Sequence, residues 1–380
     1  MHAHRAGVLG VAGFAVLVLG LVLGLQQPGS TGRDREQRAT ETAATSRLPE
    51  VRHVFVINIE NKGFHTTWGP DSRAPYLANK LRDKGVLLTN YYGTAHHSLG
   101  NYLAQISGQG PDLAIQHDCP TYSRFNETGP MVKPGQVYGN GCVYPKKVRT
   151  LPEQLVNHGH TWRGYMQDMA TPCQHSRLGH PERWRFATTS QQYVTRHNPF
   201  MYFRSITSRA AYCKKHVKPL RALTRDLKHA SSTRSLSYIT PDLCHDAHNA
   251  RCADGGPGGL SAANRWFKTW VPKVLHSAAF RAHGLLVITA DESEGVKEDS
   301  RACCGEGVGP NAGQPGIDGP GGGRVGALVI SPFARPGTST NTPYNHYALL
   351  GSIEELFGLK RLGYARTVHR VFGDDVYNAG

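Results

Sequence analysis

Two adjacent pairs of oxygen-bearing residues close two long apolar runs. Glu60-Asn61 follows HVFVINI (53–59), and Asp291-Glu292 follows GLLVITA (284–290). Such runs read as buried strands, and open α/β sheets bind ligands beyond the carboxyl ends of their strands. Two strand ends, each carrying adjacent oxygen ligands, can clasp one hard divalent cation. Oxygen donors favour Ca, Mg or Mn over a thiol-loving metal, so the metal's identity stays open. Each pair alone could be turn or cap chemistry; finding both makes that coincidence harder to sustain.

Ser98 is the candidate nucleophile. It stands just before a helical run in His96-His-Ser-Leu-Gly-Asn-Tyr102. A hydroxyl there faces the free N–H groups and positive end of the helix, a setting that suits phosphate. A nearby metal would lower its pKa and activate it. The alternative is a plain N-cap, a role serine commonly fills. Three further segments carry polar groups of the right kind. PDLCHDAHN (241–249) offers Asp246 and His248 for phosphate contact or protonation of a leaving group. His197 lies in RHNPF (196–200), and His346 in YNHY (344–347) at the start of a helical run.

These residues need a scaffold that brings distant segments together. Strands are expected at 53–59, 86–91, 161–166, 235–240, 284–290 and 325–331. Helices are expected at 75–84, 99–106, about 150–157, about 261–276 and about 346–357. Thr150-Leu-Pro-Glu153 has the capping-box form, and Gly358 stops the last helix. Trp266, Trp270 and Val274 share one stripe of the fourth. The alternation predicts an α/β protein: a three-layer α/β/α sandwich around a mostly parallel sheet. Segments 108–149 and 168–233 read as lids over the sheet edge. The glycine-rich loop 305–323 lacks the form of a nucleotide-binding loop.

Residues 8–25 are an unbroken apolar stretch preceded by His2, His4 and Arg5. The segment 1–30 therefore reads as a secretory signal or a membrane anchor, and 31–50 as a flexible linker to a catalytic domain at 51–380. The chain is expected in the cell envelope or outside the cell. Eight cysteines in an exported chain predict disulfides. Cys119 with Cys142 and Cys244 with Cys252 are local candidates. The vicinal Cys303 and Cys304 are expected to pair elsewhere, because a ring between neighbours is strained. A net charge of +15 predicts attraction to phosphate, anionic lipid or wall polyanions. No helix-turn-helix or RNA-binding signature is present, so no nucleic-acid partner is expected.

Six segments, in order from about 51 to 365, resemble the bacterial phosphoesterase family of secreted acid phosphatases and phospholipases C, within the alkaline-phosphatase superfamily. They are VFVINIENK, HHSLGNYLAQISG, TPDLCHDAHN, VITADESEG, GGGRVGALVISPF and NHYALLGSIEELFGL. The resemblance implies metal ligation by Glu60, Asn61, Asp291 and Glu292, with Zn or Fe as further candidates beside Ca, Mg and Mn, and Ser98 as nucleophile. It implies catalytic roles for Asp246, His248 and His197, and substrate contacts from Asn101 and His346. Gly100 stands where the family usually has proline, a change expected to loosen the first turn of the helix.

The expected activity is hydrolysis of phosphate monoesters, phosphoinositides among them, through a phosphoserine. The rivals are a phospholipase C acting on phosphodiester lipids and a non-catalytic basic protein that binds anionic polymers. The oligomeric state is not legible.

Overall fold

The computed structural model describes residues 48–378, so the apolar segment 8–25 and nearly all of the expected linker lie outside the described residues. The central sheet has eight strands: β1 His53–Ile59, β2 Val86–Leu88, β3 Trp162–Met166, β4 Val217–Pro219, β5 Leu236–Thr240, β6 Gly284–Ala290, β7 Ala327–Ile330 and β8 Thr338–Thr340. Their spatial order is β8-β2-β7-β6-β1-β5-β3-β4. Only β7 runs against its neighbours, so the sheet is mostly parallel, as expected. The expected strand 86–91 is split: β2 ends at Leu88, and Tyr91–Tyr92 pairs with Tyr344–Asn345 in a separate ladder.

Five helices matter for the site: α1 Ser98–Ser107, α2 Leu151–Asn157, α3 Gly259–Leu275, α4 Ala278–His283 and α5 His346–Leu356. Helix α2 begins with one half of the expected capping box: Thr150 Oγ1 accepts from the Glu153 N–H at 3.3 Å, while Glu153 Oε2 takes no hydrogen bond. Helix α1 stops at Gly108, whose φ of 67° is the left-handed value that glycine adopts cheaply. The expected helix 75–84 is instead a π turn at Tyr76–Leu81 running into a 3-10 turn.

Strand alternation decides which helices meet which residues. Phe55 contacts Phe280 of α4, with ring centroids 6.2 Å apart. Asn58 points the other way and donates to Gln105 of α1 at 3.1 Å. Even-numbered residues of β1 therefore face α1, and odd ones face α4. Helices α1, α2 and α5 pack together, while α3 packs with α4, giving helices on both faces of the sheet. Every residue of β1 from Val54 on is buried. Each fully buried aliphatic or aromatic side chain contributes about 1.5–3 kcal/mol against exposure. That investment fixes the register, and the register fixes the site.

Candidate active site

Strands β1 and β6 are parallel neighbours at the centre of the sheet, with Ile59 opposite Ala290. One step further, Glu60 comes opposite Asp291. Glu60 is even-numbered, so its side chain enters the face where α1 lies. Ser98 starts α1, and its hydroxyl donates to Glu60 Oε2 at 2.7 Å. Tyr102, one turn on, donates to Glu60 Oε1. Gln105, another turn on, reaches Asn58. The spacing 98, 102, 105 is one helix stripe laid along the sheet.

The second pair closes the ring. The Asn61 N–H donates to Asp291 Oδ1 at 2.9 Å, and its amide donates to Glu292 Oε1 at 2.7 Å. Glu292 Oε2 meets His96 Nδ1. His197 Nε2 lies 3.1 Å from Glu60 Oε2, and Nδ1 lies 3.7 Å from Asp246 Oδ2. Glu60, Asp246, Asp291 and Glu292 are all fully buried. Burial pushes the pKa of each upward, and the charge of Glu60 adds to the shift of the other three. Burial pushes His96 down.

Four buried carboxyl groups crowded together call for compensating positive charge. Asn61 Oδ1, Asp291 Oδ2 and Asp246 Oδ2 are buried and take no hydrogen bond. The first two belong to the expected ligand pairs, and Glu60 and Asp291 lie within hydrogen-bond reach of each other. An all-oxygen set with unpaired oxygens fits a hard divalent cation. A separate group, Asp242, Cys244 and His245, is also close-set. Its sulfur is committed to a disulfide with Cys252 and offers no thiolate.

Asn101 and His346, of which substrate contacts are expected, both lie buried behind the ring. Asn101 is fully buried, and its amide is spent on the backbone of the turn before Ser98. It accepts from the Thr94 and Ala95 N–H groups at 2.7 and 3.0 Å and donates to the Ala95 carbonyl at 2.8 Å. His346 is equally buried. Its Nε2 donates to the Asp291 carbonyl at 2.6 Å, and Nδ1 accepts from Tyr91 at 3.0 Å. Burial pushes it down to about 4, the neutral state that this pattern requires. Both residues brace the site from behind. Gly100 also has a packing reason: a Cβ there would sit 2.9 Å from the Ala95 Cβ.

His197 and His248 occupy different surroundings. His197 is buried and stacks on Tyr102 with an interplanar angle of 7°. Burial pushes it down to about 3. His248 is exposed at the mouth; its backbone N–H donates to Asp246 Oδ1 at 2.9 Å. Desolvation, then His197, Lys62 and Arg196, push its imidazole down to about 4. A phosphate dianion nearby would act in the opposite sense.

Sequence reasoning missed Tyr102, His96, Asp118 and Arg196. Tyr102 follows Ser98 by four residues in a helix, which is a readable signal. Asp118 has no local signal. It lies in the first expected lid, accepts from the Leu99 N–H at 3.0 Å and sits 3.5 Å from Arg196 Nε. Cys119 beside it pairs with Cys142, and Cys173 with Cys213. Cys303 and Cys304 bond to each other, against expectation; their Cα atoms are 3.8 Å apart, the fixed spacing of neighbours in a chain. All eight cysteines are thus paired.

The central strand ends of the α/β sheet thus converge on a buried serine and an oxygen-rich ring. Comparison with known proteins places it: residues 70–360 match the model of the phosphoesterase family, and the chain belongs to that family. A phosphate-repressible acid phosphatase of Penicillium chrysogenum is 24% identical over 285 residues, 75% of this chain and 55% of that protein. An acid phosphatase of Aspergillus fumigatus is 24% identical over 343 residues, 88% of this chain and 63% of that protein. The chain thus spans between half and two thirds of these fungal relatives. A phosphatidylinositol-3-phosphatase of Mycobacterium tuberculosis is 23% identical over 325 residues, 85% of this chain and 82% of that protein.

Proposed function

We propose that this protein hydrolyses phosphate monoesters, with Ser98 as nucleophile. The observation that carries the reading is the Ser98 hydroxyl, 2.7 Å from Glu60 at the start of a buried helix, beside the unpaired oxygens of Asn61 and Asp291. The names of the acid-phosphatase relatives support it. Glu60, Asn61, Asp291 and Glu292 would hold a divalent cation, which would supply charge neutralisation and a lowered hydroxyl pKa.

The residues of the chain do the rest. Ser98 Oγ forms a bond to phosphorus as the bond to the alcohol oxygen breaks, and its proton passes to Glu60 Oε2. His248, at the mouth, gives a proton to the leaving oxygen. Water then opens the phosphoserine: it gives a proton to His248, Glu60 returns its proton to Ser98 Oγ as the phosphorus bond breaks, and phosphate leaves. The start of α1 supports the added negative charge. Asp246 backs the histidines, and His96 steadies Glu292.

The chain is read as exported. The apolar run 8–25 and the four disulfides support this. Among the described residues, no helix is long and apolar enough to cross a membrane. A screen of monoesters against diesters, with and without chelator and each divalent ion, tests the activity. Monoester turnover that chelation abolishes is expected. Turnover of diesters alone would make the protein a phospholipase C type, and turnover of neither would leave an anion-binding protein. Thiol titration of denatured, unreduced protein from its native compartment tests export; no reactive thiols are expected.

A further inference from the structure

Beside His248 the surface opens into a cleft of about 370 Å³. Lys62 comes from the turn after β1, His65 and Arg73 from the segment that follows, and His248 from the turn after β5. The first turn of α3, Gly259 to Ser261, closes one side. Among the described residues, the only carboxylate lining it is Asp71. Lys62 is half-buried. Its ammonium donates to the neutral Asn61 carbonyl at 2.8 Å and feels Glu294 and, more weakly, Asp246, Asp291 and Glu60. Among the described residues, neither Lys62 nor Arg73 has a carboxylate within salt-bridge distance. Gly258, at the N-terminal end of α3, offers no side-chain cap, and no acidic residue stands in the first turn. Among the described residues, cations from separate segments thus line a concave space next to the oxygen-rich ring, with Asp71 as the one carboxylate in the lining and none paired directly to Lys62 or Arg73.

We propose that this cleft is a subsite for a second phosphate group carried by the leaving alcohol. The favoured substrates are then alcohols phosphorylated twice, or alcohols bearing a phosphodiester beside the scissile monoester. This rests on the monoesterase reading above. His248 sits on the boundary, between the leaving oxygen and the second anion. Arg73, exposed and reaching in from the far side, fits a phosphate through its planar fork.

The test uses the full chain and three substrate series: short-chain alkyl monophosphates, alkanediol bisphosphates, and the same diols with a methyl phosphodiester at the far end. For at least one chain length, kcat/KM in one of the two dianchored series is expected to exceed that of the monophosphate by about tenfold, the effect of one added charge-assisted contact. Arg73→Ala is expected to bring that ratio down towards one, mainly through KM, and Arg73→Lys to restore part of it. A gain in the bisphosphate series alone assigns the cleft to a free phosphate; a gain with the diester as well assigns it to either form. Equal kcat/KM in all three series overturns the proposal, as does a preference that survives in Arg73→Ala. If the alkyl monophosphates are not hydrolysed at all, the monoesterase reading itself fails and the subsite falls with it.

Discussion

The hydroxyl of Ser98 and the carboxylate of Glu60 are joined by a 2.7 Å hydrogen bond, although 38 residues separate them in the chain. One residue ends a buried strand and the other begins a buried helix. Neither can move without unpacking its element, so the contact is held by the core and not by a loop. Under the proposed mechanism, the hydroxyl then has its proton acceptor already in place.

Ser98→Ala separates chemistry from capping. If the hydroxyl is the nucleophile, turnover should fall on the order of a thousandfold or more, with much less change in substrate binding. A cap alone would cost about 1 kcal/mol of stability and leave turnover nearly intact. Steady-state kinetics and a melting curve on the same variant decide between them. Turnover within a few-fold of the parent would favour water as the nucleophile.

Asp291→Asn probes the ring. The substitution can keep an oxygen to accept from the Asn61 N–H, now at 2.9 Å, while removing one of four crowded buried carboxyl groups. Metal-free variant is expected to be more stable than metal-free parent by about 1–2 kcal/mol, because like charges no longer compete. It should bind less divalent metal and lose the rise in Tm that metal gives the parent. Metal content by elemental analysis and thermal unfolding with and without chelator read both. A variant that binds as much metal as the parent would remove Asp291 from the ligand set.

Much of this arrangement was legible as local pattern. The apolar runs 53–59 and 284–290 were readable as strands because both faces of each are buried, and the helices of Ser98 and His346 because their apolar residues repeat at helical spacing. The register that sets Glu60 against Asp291 was not, since it depends on which strands become neighbours. The hydrogen-bond partners of Asn101 and His346 were not legible for a related reason: sequence gives a polar residue's place on an element, but not which backbone groups it will meet there. Asp118 and Arg196 had no pattern at all, because their meeting is set by the path of two long irregular segments. The Cys303–Cys304 bond went against a strain argument that weighed only the small ring.

Asp118→Ala and Asp118→Asn test whether the first irregular segment holds the helix that Ser98 begins. Asp118 accepts from the Leu99 N–H at 3.0 Å and faces Arg196. The alanine variant loses both contacts and should be less stable by about 1–2 kcal/mol. The asparagine variant can keep the cap oxygen and should lose less. Turnover should drop in the same order, because Ser98 precedes the residue that is capped. Equal stability of both variants with the parent, measured by denaturant unfolding, would show that α1 is held by packing alone.

Glu354 gives a pH dependence outside the oxygen-rich ring. It lies buried on α5, accepts from the Leu362 N–H at 3.0 Å through Oε1, and leaves Oε2 unpaired. Burial raises its pKa from the ordinary 4.5 to about 9, with the Leu362 hydrogen bond opposing. A carboxyl with a raised folded pKa binds more protons folded than unfolded between those two values. Stability is therefore fully present below about pH 4.5 and is lost progressively as pH rises towards 9. Glu354→Gln can keep the oxygen that Leu362 uses and cannot ionise. Its Tm should match the parent's near pH 4 and exceed it increasingly from neutral pH to pH 9. Parallel Tm profiles for the two proteins across that range would mean that Glu354 titrates at its ordinary value and that α5 pays nothing to bury it.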